Sequence, residues 1–178
     1  MLEATAIALA IFPLGILYAS FAEWVIHKWL MHRPILRIQH FYYGHTKVHH
    51  GIYRADDTYI VGERPARELT LAWWAMPFPV LLQMPLVLAI ASFASVPAGI
   101  GFAAALISYQ AVYETLHYCM HVPTGRWVES TPWFKWINEH HFQHHRKHTT
   151  NLNIILPIFD YVFGTRERPE TAIPVPQT

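Results

Sequence analysis

The length of its uncharged segments is the feature that most constrains how this chain can fold. From Ala4 to Ala22 none of the 19 residues carries a charge, and as an α-helix they would rise roughly 28 Å, close to the thickness of a bilayer's hydrocarbon core. Between Glu68 and Glu114 the chain has neither a charged residue nor a histidine, which is long enough for about two further crossings. A soluble helix needs a polar face, and these segments lack one. The sequence therefore predicts an all-α integral membrane protein.

We place the predicted spans at about 4–24, 71–94 and 99–116, in a fold of about three to four transmembrane helices. The break between the last two falls at Ser95-Val96-Pro97-Ala98-Gly99, which has the composition of a turn. At 178 residues the chain is expected to form a single domain, 1–178, with a tail at 167–178.

The distribution of charge predicts an orientation and argues against one class of ligand. The 13 Lys and Arg nearly balance the 12 Asp and Glu, so the chain lacks the clustered positive field that nucleic-acid binding requires. All the Lys and Arg lie in two blocks, Lys28 to Arg67 and Arg126 to Arg168. The positive-inside tendency places both blocks in the cytoplasm and the N-terminus outside.

The one cysteine, Cys119, excludes an internal disulfide, a cysteine zinc finger and an iron–sulfur cluster. We expect it to be a small packed side chain.

Histidine is unusually frequent in this sequence, with 13 residues. Ten of them fall in four spaced motifs: His27-x4-His32, His45-x3-His49-His50, His117-x3-His121 and His141-x2-His144-His145. The first motif follows directly on the first predicted span and the third follows the last span. Distant parts of the chain therefore bring imidazoles to the same side of the membrane, where we predict a cytoplasmic, histidine-rich helical cap.

The spacing within the motifs predicts which rings lie together. Helical residues four apart are turned about 40° from each other, and residues three apart about 60° the other way. His117 and His121 are therefore expected to share a face, as are the three histidines of the fourth motif. His45 and His49 should share a face too, with the next residue one step around the helix.

Two other spacings suggest a pair of ions. On an α-helix His27 and His32 would lie about 140° apart, wide enough for one to reach each of two metals. Adjacent histidines point about 100° apart, so each His-His pair also suits two neighbouring ions.

Imidazole ligands suit Zn, Cu, Fe or Ni, and about ten are too many for one tetrahedral zinc. The His-Glu-x-x-His motif of zinc proteases is absent. Histidines are missing from the spans, which argues against membrane haems, and the lack of ionisable residues between Glu68 and Glu114 argues against a transport pathway. An apolar substrate in the bilayer and a redox-active metal pair at its edge would suit O₂-dependent attack on a C–H bond.

With Tyr113-Glu114 before the third motif and the run from Asn151 to Thr165 after the fourth, the sequence resembles the fatty acid hydroxylase/sterol desaturase superfamily over about residues 20–166. The resemblance rests on four motifs in order and on a closing Asp-x-x-Phe-Gly-Thr. It implies a membrane-bound non-haem di-iron oxidoreductase of lipid metabolism, a monooxygenase type of enzyme. Carried onto matching positions, the implied iron ligands are His27, His32, His45, His49, His50, His117, His121, His141, His144 and His145.

The resemblance also implies the partners. The substrate would be a lipid such as a fatty acyl chain, a sterol or a carotenoid, and hydroxylation and desaturation both remain open. The chain lacks the haem-binding N-terminal domain of some relatives, so we expect a separate electron donor, either a ferredoxin or a cytochrome b5-like protein with its reductase. The second motif has three residues between its first two histidines where many relatives have two, a departure at His45.

A different function remains open at this point. Zinc can replace iron in a purified sample, and a membrane protein that binds zinc or another metal in a structural or metal-handling role, without oxygenase activity, would carry the same histidines.

Two acids are candidates to support the ligands. Glu23 lies four residues before His27, and Glu114 lies three before His117, so each would share a helical face with its ligand. We expect these carboxylates to orient ligand N–H groups and to offset the charge of the metals. Three histidines outside the motifs are expected to lie beside the site or to play no part in it: His40, His140 and His148.

Overall fold

A computed structural model describes residues 1–35, 39–60, 77–168 and 173 of the chain. Its regular secondary structure is helical, and no strand occurs within those ranges. The helices are α1 (Leu2–Ile26), α2 (His40–Tyr42), α3 (His50–Ile52), α4 (Phe78–Leu81), α5 (Met84–Phe93), α6 (Val96–His121), α7 (Pro132–Arg146) and α8 (Ile158–Val162). Two π-helical segments, His27–Met31 and Tyr43–His49, continue α1 and join α2 to α3. A 3₁₀ turn at Trp127–Ser130 precedes α7.

The two long helices, α1 and α6, pack against each other through small residues. A methyl group added at Gly101 would collide with the backbone carbonyl of Ala8, and one added at Gly15 would lie 2.5 Å from Cβ of Ala105. Lipid chains are as apolar as the surfaces of these helices, so helices in a bilayer associate through close packing. Small residues such as Gly and Ala allow that packing because the backbones can approach each other. This packing holds α1 and α6 side by side, with both helices running toward the histidines.

The turn between the second and third predicted spans is shorter than the sequence indicates. Helix α5 ends at Phe93, and α6 already begins at Val96. The Ser95 hydroxyl accepts a hydrogen bond from the backbone N–H of Ala98 at 3.2 Å, and Pro97 stands in the first turn. Because the first helical N–H groups have no partner in the helix, a serine cap followed by proline starts a helix rather than breaking one.

The second predicted span, 71–94, differs from the described structure. Residues 71–76 lie outside the described residues, and the remainder forms α4 and α5 with an interruption at Leu82–Gln83. Pro85 in the first turn of α5 has no N–H to donate to α4, which explains why the helix restarts there.

Within the described ranges two helices are long and apolar enough to cross a bilayer, Leu2–Met31 and Val96–His121. Both reach farther toward the histidines than predicted, so that the third motif lies inside α6 and the first follows α1 without a break. Their outward faces expose large apolar side chains, which include Leu9, Leu14, Ile100, Ile107 and Val112.

Helix α7 and the segment that follows it cover the histidine-bearing ends of α1 and α6. Helix α7 contributes Phe134 and Ile137 to a buried cluster that also contains Leu116 and Met120 of α6. Ile154, from the segment between α7 and α8, completes this cluster. The cap is therefore packed directly onto the end of the α1–α6 pair, where the histidines are.

Candidate metal centre

The ten histidines of the four motifs converge in two groups. Within each group, one nitrogen of every ring lies within 4.8 Å of one nitrogen of every other ring. Nine of the ten side chains are buried, and His32 is intermediate. Site 1 consists of His27, His32, His45, His50 and His144, and site 2 consists of His49, His117, His121, His141 and His145.

The ring nitrogens of site 1 face one another at short distances. Nε2 of His45 lies 2.8 Å from Nε2 of His27 and 3.1 Å from Nε2 of His50. Nε2 of His144 lies 3.0 Å from that of His32 and 3.1 Å from that of His50.

Site 2 has the same arrangement. Nε2 of His145 lies 3.2 Å from that of His49 and 3.0 Å from that of His141, and Nε2 of His141 lies 3.1 Å from that of His121. Nε2 of His117 is buried without a hydrogen-bond partner. The two sites adjoin, because the rings of His50 and His145 have centroids 4.3 Å apart.

Backbone carbonyls fix the tautomer of two rings in site 1. Nδ1 of His27 lies 2.6 Å from the carbonyl oxygen of Leu152, and Nδ1 of His144 lies 2.8 Å from that of Thr150. A carbonyl oxygen can only accept, so Nδ1 must carry the hydrogen, and Nε2 of a neutral ring is then a lone pair.

The same holds in site 2. Nδ1 of His145 donates to the carbonyl of Tyr53 at 2.5 Å, and Nδ1 of His121 donates to that of Tyr59 at 2.8 Å. The Nε2 lone pairs of these rings are consequently directed at the other imidazoles of the site.

This donor set fits metal ions. Buried lone pairs that point at one another repel unless a cation lies between them. At metal–nitrogen distances of about 2.0–2.1 Å, two ligands at right angles have their nitrogens about 3 Å apart, and the distances here run from 2.8 to 3.2 Å. The outer N–H···O=C contacts are also those that commonly orient a metal-bound histidine.

The interpretation that His27 and His32 reach different metals is wrong for this fold, because both lie in site 1. The segment His27–Met31 is π-helical, and the N–H of His32 donates to the carbonyl of His27 at 3.1 Å. In a π-helix residues five apart share a face, so the two rings stack with centroids 4.9 Å apart.

A second π-helix determines which histidines of the second motif share a face. Across Tyr43–His49 the N–H of His50 donates to the carbonyl of His45, so these two residues share a face and join site 1, while His49 points to site 2. The expected pairing of His45 with His49 is therefore wrong. In the fourth motif His141 and His145 share site 2, but His144 belongs to site 1, so the three do not share one face as expected.

The two adjacent pairs within the motifs, His49-His50 and His144-His145, are divided between the two sites. This division agrees with the offset of about 100° between neighbouring helical residues. In the third motif His117 and His121 lie together in site 2, as predicted for an i, i+4 pair.

Burial keeps the imidazoles of the cap neutral. It lowers the pKa of His144 well below its usual range, and the nearby rings of His27 and His32 lower it further. Burial likewise lowers the pKa of His145 and His141, with neighbouring imidazoles adding to the effect. Neutral imidazole is the form that binds metals.

Neither predicted supporting acid contacts a ring nitrogen in the hydrogen bonds of the structure. Glu23 accepts from the hydroxyl of Tyr109, from Nδ2 of Asn153 at 3.1 Å and from the N–H of Ile154 at 2.7 Å. It thereby holds the segment whose carbonyl at Leu152 receives Nδ1 of His27. Glu114 accepts from Nε2 of Gln110 at 2.9 Å.

Of the three histidines outside the motifs, His140 and His148 lie near the sites. Nε2 of His140 is 3.1 Å from a carboxylate oxygen of the buried Asp160. The ring of His148 lies 4.1 Å from that of His50. His40 is exposed and belongs to neither site. Cys119 is buried, in the same core cluster as Met120, as expected for a small packed side chain.

The sequence did not predict the groups that accept hydrogen bonds from the outer nitrogens of the rings. Four of them are backbone carbonyls, which carry no residue-type signal. Asp160 does have a signal in the sequence, because it opens the Asp-x-x-Phe-Gly-Thr run, but the motif alone does not indicate what the carboxylate binds. Burial alone would raise its pKa, whereas hydrogen bonds from His140, Thr165 and the backbone lower it below its usual value. Asn151, with a positive φ of 52°, turns the chain next to Thr150.

Comparison with known families decides the relationship of this chain. The sequence model described as fatty acid hydroxylase matches residues 12–165. The chain belongs to the fatty acid hydroxylase family. No curated protein and no solved structure matches it.

Membership of the fatty acid hydroxylase family has two consequences here. The family is generally oxidoreductase in type. It is also associated with membranes, and together with the two long apolar helices this indicates that the protein is a membrane protein. The histidine sites are consistent with the di-iron centre of the fatty acid hydroxylase family.

Proposed function

We propose that this protein is a membrane-bound di-iron oxidoreductase that uses O₂ to hydroxylate or desaturate a C–H bond of a lipid. The observation that carries the proposal is the convergence of imidazole lone pairs in two adjoining buried sites at the ends of two apolar helices. When bound, the iron pair would supply the reductive activation of O₂ that oxidation of an unactivated C–H bond requires.

The chain's own residues would keep that chemistry in place. The carbonyls behind His27, His121, His144 and His145 hold the rings in a metal-binding tautomer. Burial excludes water from the sites, which protects a reactive centre from side reactions. The apolar ends of α1 and α6 lie beside the histidines, so a lipid chain could approach them without leaving the bilayer.

The number of imidazoles supports iron over structural zinc. Structural zinc sites are almost always four-coordinate, whereas each site here offers five imidazoles. The alternative, a zinc-binding or metal-handling membrane protein without oxygenase activity, is tested by metal analysis of protein made in iron-replete cells. Two irons per chain support the oxidoreductase. Zinc alone leaves the decision to the oxygen-incorporation assay.

Three further features belong to the proposal. The lipid is a fatty acyl chain, a sterol or a carotenoid. Electrons come from a separate donor, a ferredoxin or a cytochrome b5-like protein with its reductase. The sites face the cytoplasm, since the Lys and Arg blocks flank the histidines.

The deciding experiment measures incorporation of ¹⁸O₂ into extracted lipid by membranes that contain the protein. His145→Ala removes a site 2 imidazole that is buried and held by the Tyr53 carbonyl, so we expect incorporation to fall at least about 100-fold, a ΔΔG‡ of about 2.7 kcal/mol. The matched control is His40→Ala, an exposed histidine outside both sites, which should keep wild-type incorporation. Desaturation is followed in the same extracts by loss of two hydrogens from the lipid. Neither product above background, or equal activity of wild type and His145→Ala, would exclude the proposed activity.

A further inference from the structure

The two sites are held from behind by two different loops. Two rings of site 1, those of His27 and His144, donate through Nδ1 to carbonyls of the segment 150–154, at Leu152 and Thr150. Two rings of site 2, those of His121 and His145, donate through Nδ1 to carbonyls of the segment 53–59, at Tyr59 and Tyr53. Among the ring-to-backbone contacts of the described residues, each loop serves one site only.

The site 1 loop is organised around Asp160, which is fully buried. One carboxylate oxygen accepts the N–H of Leu152 at 2.8 Å and the hydroxyl of Thr165 at 2.6 Å, and the other accepts the N–H of Asn153 at 2.8 Å and lies 3.1 Å from Nε2 of His140. Hydrogen bonds to an ionised acceptor are short and about twice as strong as neutral ones. Asp160 therefore fixes the peptide whose carbonyl receives Nδ1 of His27.

The same loop is also tied to α1. The hydroxyl of Thr165 that donates to Asp160 accepts the indole N–H of Trp24 at 2.9 Å. Trp24 precedes the ligand His27 by three residues on α1. The carboxylate thus connects the loop that orients His27 with the helix that carries it.

The site 2 loop is held in another way. The hydroxyl of the buried Tyr59 donates to Oδ1 of Asn138 on α7 at 2.7 Å. The N–H of Tyr59 donates to the carbonyl of Asp56 at 3.1 Å. None of the hydrogen bonds that the structure gives to Asp160 reaches the segment 53–59.

We infer that Asp160 is a positioning residue for the metal of site 1 and leaves the metal of site 2 unaffected, so that the two ions are supported independently. The inference rests on the two-metal part of the proposed function. It assigns a role to an acid that touches no predicted ligand directly and acts through the carbonyl of Leu152.

The experiment loads the full-length protein with ferrous iron under anaerobic conditions and removes it by titration with a ferrous chelator. Wild type should hold two irons per chain. In Asp160→Asn, one iron should leave at about 10- to 100-fold lower chelator concentration, the range found when an outer partner of a ligand is lost, and the second should leave as in wild type. Tyr59→Phe, which removes the hydroxyl contact to Asn138, is the corresponding variant for site 2 and should lower the affinity of that site for iron.

Double variants identify which iron is affected, a result that a general loss of structure would not produce. His144→Ala disrupts site 1, and adding Asp160→Asn to it should change iron content little, because both act on one ion. His141→Ala disrupts site 2, and adding Asp160→Asn to it should loosen the remaining iron.

The outcomes separate this inference from the proposed function. If Asp160→Asn weakens both irons equally or neither, the inference is wrong while the two-metal proposal stands. Wild-type protein that holds fewer than two irons overturns both. Should Asp160→Asn fail to fold, Thr165→Val, which removes one hydrogen bond to the carboxylate together with the one from Trp24, is judged by the same selective loss from site 1.

Discussion

At the scale of single residues, the centre depends on which nitrogen of each imidazole carries its hydrogen. The carbonyls of Leu152 and Tyr53 each accept from an Nδ1, and each thereby turns an Nε2 lone pair inward. A buried Nε2 lone pair in such a place cannot accept a hydrogen bond from water. The arrangement therefore destabilises the folded protein unless a cation binds. The residue-scale consequence is a metal-free state that is sensitive to acid.

We predict that the metal-free protein loses stability as pH falls. The pKa values of His141, His144 and His145 are lowered by burial in the folded state, whereas the unfolded values lie near 6.5. Below that pH the unfolded chain binds more protons than the folded one, so the free energy of unfolding decreases. The stability is thus present above about pH 6.5 and is lost on acidification, by up to about 1.4 kcal/mol per pH unit for each imidazole that stays neutral.

Thermal unfolding of metal-free protein between about pH 7.5 and about pH 5 measures this effect. His144→Ala should make the decline shallower, because it removes one of the imidazoles whose pKa is lowered. A melting temperature that stays constant over this range would contradict the prediction.

At the scale of elements, backbone geometry decides which histidines meet. The π-helical segments His27–Met31 and Tyr43–His49 place residues five apart on one face, and each supplies a pair to site 1. Helices α1 and α6 pack closely at Gly15 and Gly101, before the ends at which they carry histidines. Any change that separates these helices should therefore disturb ligands from both.

We predict that Gly101→Ala destabilises the protein and lowers its iron content. The added methyl would collide with the backbone of Ala8 on α1, which cannot move aside as a flexible side chain can, and overpacking of this kind typically costs about 1–3 kcal/mol. Gly51→Ala is the control, because a methyl at Gly51 meets nothing within 4 Å. Thermal unfolding and iron content in detergent measure both variants. Equal values for the two would show that the crossing is looser than the structure indicates.

At the scale of the whole molecule, the distribution of charge and apolar surface indicates how the protein sits in a bilayer. The outward faces of α1 and α6 are apolar, and the Lys and Arg fall in the same two stretches of sequence as the histidines. The family match over residues 12–165 covers α1 from residue 12 onward, the whole of α6 and all four motifs. That residues 1–178 form a single domain stays a prediction, and most of the tail at 167–178 lies outside the described residues.

We predict that the N-terminus faces away from the cytoplasm and the cap faces into it. In a Cys119→Ser background, Glu3→Cys should react with an impermeant thiol reagent on intact cells, and Lys135→Cys should react only after the cells are opened. Both positions are exposed in the structure, so a failure to react reports the side of the membrane. The reverse pattern would place the metal sites on the opposite face.

The sequence by itself determined the helical class, two of the three predicted spans as membrane-length helices, the family and the ten histidines that come together. It did so because uncharged length and residue type are properties of the chain that need no neighbour. The partition into two sites required the tertiary structure, since an i→i+5 hydrogen bond such as that from His32 to His27 leaves no periodic trace in the sequence. The hydrogen-bond partners of the rings required the tertiary structure too, because every residue has a backbone carbonyl. Only folding decides that histidines meet those of Thr150, Leu152, Tyr53 and Tyr59.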